Sequence, residues 1–227
     1  MSFMRLSRLI TKGFAWVASI ALGATWRQLR RDLTTAHARY RASLKREIPQ
    51  TLVLTLVAAE DRRFFQHGGV DFRSICRAVW KNVSVQSREG GSTIEQQLVR
   101  RLTGMRRRSI KRKIKEILLA SLVDTVVPKA DIPGVYLSVA YFGSRMNGLQ
   151  EACVRLGVRL RTLTPRECAA IVARLKYPEP KTASSARGLQ IARRTDYILE
   201  NLTTQSGQRF AAQFRIKVPQ DAPLSDS

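Results

Sequence analysis

Acidic residues are scarce in this chain of 227 residues: seventeen Asp and Glu face forty Lys and Arg, a formal net charge of +23 at pH 7. Such an imbalance points to a polyanionic partner, with nucleic acid, an anionic membrane surface and a phosphorylated substrate all open on charge alone. Cysteine is scarce too. Cys76, Cys153 and Cys168 are odd in number and widely spaced, which excludes a disulfide framework and suits small buried apolar residues. Histidine occurs only at His37 and His67, neither with a Cys or His partner at ligand spacing, so a zinc motif is missing. Strand-type alternation is weak and there is no internal repeat, which argues against an all-β or solenoid fold. A hydrophobic share of 44% excludes a disordered polycation, and the length suits one large domain or two small ones.

What is present reads as a predominantly α-helical chain. Residues 9–26 are mostly apolar, broken by Thr11, Lys12, Ser19 and Thr25. As a helix they would span about 27 Å, just short of a bilayer core. The expectation is a membrane-anchor helix, with a cleaved signal peptide as the alternative. Cations flank both sides, so the positive-inside rule gives no orientation. Residues 27–46 read as a basic juxtamembrane helix ended by Pro49, and the apolar segment from Thr51 as a buried helix. Ile110, Ile114, Ile117, Leu118 and Leu122 predict an amphipathic helix stopped at Pro128. Another is expected from Asp131, as its cap, with Pro133 in its first turn. Thr164-Pro165-Arg166-Glu167 is a capping box with proline at the first helical position. A further helix is expected over 190–202, and a loose tail over 219–227.

Three constellations carry chemistry. Glu60 and Asp61 are adjacent carboxylates at the end of an apolar helix, just before a glycine-containing loop. Desolvation there can raise a carboxyl toward the range of a useful base, while a salt-bridged helix end is the structural alternative. Gly90-Gly91-Ser92-Thr93 followed by Gln96 and Gln97 has the composition of a helix start that offers donors to an anion, or simply of a capped helix. In the third, Arg112 and Lys113 lie on one helical face with Glu116. Around them, Arg100, Arg101, Arg106, Arg107, Arg108, Lys111, Arg112, Lys113 and Lys115 precede Glu116 without an intervening acid, a density that suggests phosphate binding.

The order of these segments resembles the peptidoglycan glycosyltransferases of family 51, the polymerase domain of class A penicillin-binding proteins and of monofunctional transglycosylases. The match is carried by E-D-R-R-F-F-Q-H-G from Glu60, G-G-S-T-I-E-Q-Q-L from Gly90 and R-K-I-K-E from Arg112. Weaker blocks are Y-L-S-V-A-Y-F-G from Tyr136 and E-C-A-A-I-V-A-R-L-K-Y-P-E-P from Glu167.

The resemblance implies an all-α, lysozyme-like domain over 49–218, behind an anchor and basic segment over 1–48. It implies a single-pass protein of the cytoplasmic membrane with its catalytic domain on the periplasmic face, acting alongside other cell-wall synthesis proteins. Its implied substrates are lipid II and an undecaprenyl-pyrophosphate-linked glycan. Glu60 would deprotonate the 4-hydroxyl of the acceptor GlcNAc. Glu116 would be the second carboxylate, on the donor side, where a divalent cation, Mg2+ or Mn2+, is a further implication. Asp61, His67, Ser92, Thr93, Gln96, Gln97, Arg100, Arg108, Arg112 and Lys113 would bind substrate. No organic cofactor and no specific nucleic acid are implied.

The chain departs from the family pattern at several positions. Arg100 stands for a usual lysine, Arg101 for an asparagine, Glu95 for a small polar residue, Asp124 for a glutamate and Ser138 for an asparagine. Residues 144–148 replace a glycine-richer loop, and Arg155-Leu156-Gly157 a usual Y-F-G. No lysine has a serine three positions earlier, so a penicillin-binding transpeptidase nucleophile is not expected. Two rival readings are a lysozyme-like or lytic glycan-cleaving enzyme, which has no use for a cation cluster, and a non-enzymatic nucleic-acid binder, which would want aromatics among the cations of 100–115, where there are none.

Overall fold

The computed structural model describes residues 20–71, 92–105 and 109–204. They fall into two compact units, one formed by the residues up to Arg46 with Glu60–Ala140, the other by Glu47–Ala59 with the residues from Tyr141 onward. Helices dominate both, as the sequence led us to expect.

In the first unit, α1 (Gly23–Arg39) buries Leu29, Leu33 and Ala36, spaced four and three residues apart along one stripe. Its axis continues through a π-helical turn (Tyr40–Leu44) that buries Tyr40 and Leu44. The basic helix expected over 27–46 is thus present, with a change of helical winding that the sequence did not announce. Of the expected anchor only residues 20–26 are described, and among the described residues no helix is long and apolar enough to cross a membrane.

Helix α3 (Ile94–Thr103) packs on α4 (Ile110–Val123) and α5 (Ile132–Val139). Thr93 caps its start by accepting from the Gln96 N–H at 3.3 Å, and Gly104 ends it in the left-handed region at φ 64°. Ser109 caps α4 in the same way, accepting from the Arg112 N–H. The buried face of α4 is Leu119, Ala120, Leu122 and Val123, whereas Ile110 and Ile114 are exposed. Periodicity placed those two isoleucines on the core side, but the apolar core begins only with the third turn of the helix, at Leu119. Each buried leucine stabilises by about 1.5–3 kcal/mol.

Asp131 stands at the N-terminus of α5 as expected, with Pro133 in the first turn, yet its carboxylate makes no cap bond. It lies 2.9 Å from His37 Nε2 and 2.9 Å from Lys45 Nζ instead, because an ammonium and an imidazole from the segment around α1 outcompete a backbone N–H. Helix α5 approaches the π-turn so closely that a Cβ on Gly134 would lie 2.4 Å from the Tyr40 ring.

The second unit contains most of α2 (Gln50–Glu60), whose final residue belongs to the first unit. Leu52, Leu54, Thr55, Leu56 and Val57 are all buried, which bears out the buried-helix reading. A hairpin pairs β1 (Tyr141–Gly143) antiparallel with β2 (Met146–Asn147) through Arg145 in the left-handed region at φ 59°. Then follow α6 (Leu149–Leu156), α7 (Pro165–Lys176) and α8 (Ser185–Thr203), with α8 packed along α7. The capping box on α7 is fully formed. Helix α8 starts five residues before the expected boundary, because Ser184 caps it and Ser185-Ala186-Arg187 extend it without any apolar periodicity to betray them. Cys153 and Cys168 are buried, and burial pushes their thiols up to about 11 and about 12.

Candidate active site around helix α3

The apolar helix α2 delivers Glu60 at its last position. Gln97 Nε2 donates to Glu60 Oε2 at 3.1 Å, and Gln97 Oε1 accepts from the Tyr136 hydroxyl at 2.8 Å. The phenol fixes which way the amide faces: with its oxygen engaged by a donor, Gln97 presents N–H to the carboxylate. Burial raises Tyr136 well above its ordinary range, and the nearby Glu60 charge adds to this, so the phenol stays a donor. Glu60 therefore receives a neutral hydrogen bond from a held partner.

Asp61 turns inward. One of its oxygens accepts from the Ile94 N–H at the start of α3 at 3.2 Å, and both lie 3.1 Å from His67 Nε2. A carboxylate at a helix N-terminus meets free N–H groups and the positive end of the helix dipole. Thr93 spends both roles of its hydroxyl, donating to the Gly69 carbonyl at 2.8 Å and accepting from Gln96. Gly69 has φ +83°, and a Cβ there would lie 2.1 Å from the Ala120 carbonyl oxygen, so only glycine allows the loop to approach α4. The structure thus gathers Asp61, His67 and Thr93 into a buried brace that fixes α3 beside Glu60.

On another face of α3, Gln96 Oε1 and Ser92 Oγ each accept from Lys113 Nζ at 2.7 Å. Burial lowers the Lys113 ammonium below the ordinary lysine range. Glu116 opposes this and the neighbouring charges of Arg100 and Arg112 reinforce it. Arg112 Nη1 holds Glu116 Oε1 at 2.5 Å, with Glu116 at 0% exposure. Three buried atoms here have no hydrogen-bond partner among the described residues: Glu116 Oε2, Arg112 Nε and Gln96 Nε2. The Arg112-Lys113-Glu116 face read from the sequence is present, with Arg112 on the glutamate and Lys113 turned across to α3. Arg108 lies outside the described residues.

Glu116 offers one bare oxygen to a divalent cation, but among the described residues it belongs to no cluster of three or more Asp, Glu, His or Cys ligand atoms. A single bare carboxylate oxygen does not by itself build an ion site.

Sequence reasoning missed two features. Glu95 was visible only as a departure from the family pattern. It is fully buried on α3, its Oε1 held by Lys129 Nζ, which also lies 3.8 Å from Asp124 Oδ2 and 4.1 Å from the centroid of the Phe64 ring. Burial raises the Glu95 carboxyl, while Lys129 pulls it back. In the second unit, a cleft of about 620 Å³ is lined by Arg155, Arg166, Arg174, Lys181 and Arg187, with Glu179 and small or apolar residues such as Ala170 and Ile191 between them. These cations are scattered in sequence, so no charge run marked them.

Comparison with known proteins agrees with the residues. The transglycosylase family model matches residues 28–203. A Cupriavidus necator protein that bears a transglycosylase name is 33% identical over 207 residues, 88% of this chain and 88% of its own length. Penicillin-binding protein 1A of Rickettsia typhi is 33% identical over 160 residues, 68% of this chain and 20% of its own length. Penicillin-binding protein 1A of Escherichia coli is 35% identical over 150 residues, 65% of this chain and 18% of its own length. The chain thus spans about a fifth of the penicillin-binding proteins it matches.

Proposed function

This chain belongs to the transglycosylase family, and on that premise we propose that it polymerises lipid II into peptidoglycan glycan strands. The observation that carries the reading is the double use of α3: Gln97 holds Glu60 on one side, while Gln96 and Lys113 join the Arg112–Glu116 pair on another. A glycosyl transfer with inversion needs a base for the attacking hydroxyl and charge stabilisation for a leaving pyrophosphate. The two sides of α3 supply one each.

In this mechanism Glu60 takes the proton from the 4-hydroxyl of the acceptor GlcNAc as that oxygen bonds to the donor's anomeric carbon. The bond from that carbon to the lipid pyrophosphate breaks, and the leaving oxygen keeps the electron pair. The Gln97 donor stabilises Glu60 as the carboxylate that the step requires. Arg100, Arg112 and Lys113 face the developing charge on the leaving group. Lys113 pays for its burial in an ammonium made less stable, so an incoming pyrophosphate regains energy there, most of all as the bridging oxygen turns anionic. The unpartnered Gln96 Nε2 and Arg112 Nε are further donors for phosphate oxygens. An undecaprenyl-linked donor requires the protein to work at a membrane, and the excess of cations suits an anionic lipid surface on the periplasmic side.

The test is the direction of the reaction. Purified protein is incubated with lipid II and, separately, with isolated sacculi. Polymer from lipid II with nothing released from sacculi is the expected result; soluble muropeptides from sacculi without polymer would overturn the proposal in favour of a lytic enzyme.

A further inference from the structure

Asp61, His67 and Glu95 each place a ligand atom so that all three lie within 4.8 Å of one another, and all three residues are buried. Ions with metal–oxygen distances of about 2.0–2.6 Å hold ligands on opposite sides roughly 4–5 Å apart, so this spacing is within the span of one coordination sphere. A cluster of carboxylates alone would mean little. Here Glu95, at 0% exposure, keeps Oε2 without a hydrogen-bond partner among the described residues, and His67 Nδ1 is likewise unpartnered. Leaving a carboxylate oxygen bare in the interior is costly, and an ion is one of the few groups that would satisfy it.

We propose that Asp61, His67 and Glu95 form a divalent-cation site, with the Lys129 ammonium as its built-in competitor. One imidazole and two carboxylates suit a Mn2+-like or Mg2+-like ion, harder than a thiolate-seeking one. Lys129 now neutralises Glu95 through Oε1. It has an alternative partner in reach, since Asp124 Oδ2 is 3.8 Å from the same Nζ, so an arriving dication displaces it without stranding its charge. Glu95 and Asp124 are two of the positions at which this chain departs from its family's pattern, and Lys129 bridges them. The departure at Glu95 supplies the third ligand, while position 124 carries a carboxylate in either case and serves as the refuge for the displaced lysine. This site is separate from Glu116, and its existence does not depend on the polymerisation reading, because binding is measured without turnover.

The experiment is a Mn2+ titration of the full chain in detergent, following the loss of the free-ion signal by electron paramagnetic resonance. Wild type is expected to bind about one Mn2+ per chain at this site. Glu95→Gln should weaken that binding at least about tenfold and Lys129→Met should tighten it by a similar factor, as changes in and around a coordination sphere do. Glu116→Gln should leave it unchanged. The gain in Lys129→Met is the decisive arm, since misfolding cannot produce it. Equal binding by Glu95→Gln and wild type, loss of binding in Glu116→Gln, weaker binding by Lys129→Met, or no binding by wild type and Lys129→Met at millimolar Mn2+ would each overturn the proposal.

Discussion

The two units bury different things. In the first, the interior holds Asp61, His67, Asp71, Thr93, Glu95, Gln96, Gln97, Glu116, Ser121 and Asp131. In the second, the buried polar residues among those described are Thr55 and Thr195, and each hydroxyl simply donates to the carbonyl one turn earlier, at 2.8 Å. Two of its ion pairs sit outside, Arg166 with Asp196 at least half exposed on both sides and Arg161 with Glu47 at the surface, while the third among the described residues, Arg174 with Glu179, is only partly buried. Buried charge costs free energy unless it is paired, and even then it is weak as a source of stability. A chain that concentrates such groups around one helix has spent stability to hold chemistry in place, whereas the second unit is organised for packing and capping.

The sharpest way to break this contrast is to truncate one ion pair in each unit. Arg112→Met leaves the Glu116 carboxyl at 0% exposure without its ion-pair partner, and the loss should be about 3–5 kcal/mol of unfolding free energy. Arg166→Ala removes an exposed partner and should cost no more than about 1 kcal/mol. Chemical denaturation of both variants measures the difference; equal losses would mean that the first unit is not special.

Capping gives the next largest effect, in the second unit. Thr164→Ala removes the acceptor for the Glu167 N–H and one partner of the Glu167 carboxylate, with an expected loss of about 1 kcal/mol by the same denaturation measurement. A loss as large as that of Arg112→Met would erase the distinction between local capping and buried charge.

The smallest effect is a pH dependence. The Lys113 pKa is lowered in the folded state by burial, helped by Arg100 and Arg112. Between that lowered value and the unfolded value of 10.5 the unfolded chain binds more protons, so Lys113 contributes stability that rises with pH across this window. Relative to Lys113→Met, wild type should gain in melting temperature on going from neutral pH toward 10.5. The Tyr136 phenol, raised by burial, titrates in both proteins and cancels in the comparison. A constant gap between the two melting curves would contradict the buried position of the ammonium.

Much of the fold was legible in the sequence. The capping box at Thr164, the buried apolar helix ending at Glu60 and the predominance of helix follow from local signals that tertiary structure did not override. The candidate site was legible as a set of residues, through motif order, but its internal wiring was not. Nothing in the sequence says that Gln97 faces Glu60 while its neighbour Gln96 faces Lys113; that follows from the helical turn of about 100° per residue once α3 is packed between partners. Asp131 shows the limit of capping rules, since a lysine and a histidine from elsewhere in the chain took its carboxylate. Ile110 and Ile114 show the limit of periodicity, which identifies a face and not how far along the helix that face is covered. Glu95 and Lys129 lie 34 positions apart, and a pair at such separation leaves no local trace.

The central claim is that Glu60 removes the acceptor proton, and the initial rate of lipid II polymerisation by Glu60→Gln tests it most directly. The substitution keeps shape and a hydrogen-bond partner for Gln97 while removing the base. A general base contributes about 10²–10⁴-fold to the rate, so the variant should lose at least about a hundredfold with its thermal unfolding little changed. A folded Glu60→Gln protein that polymerises lipid II at the wild-type rate would contradict the account.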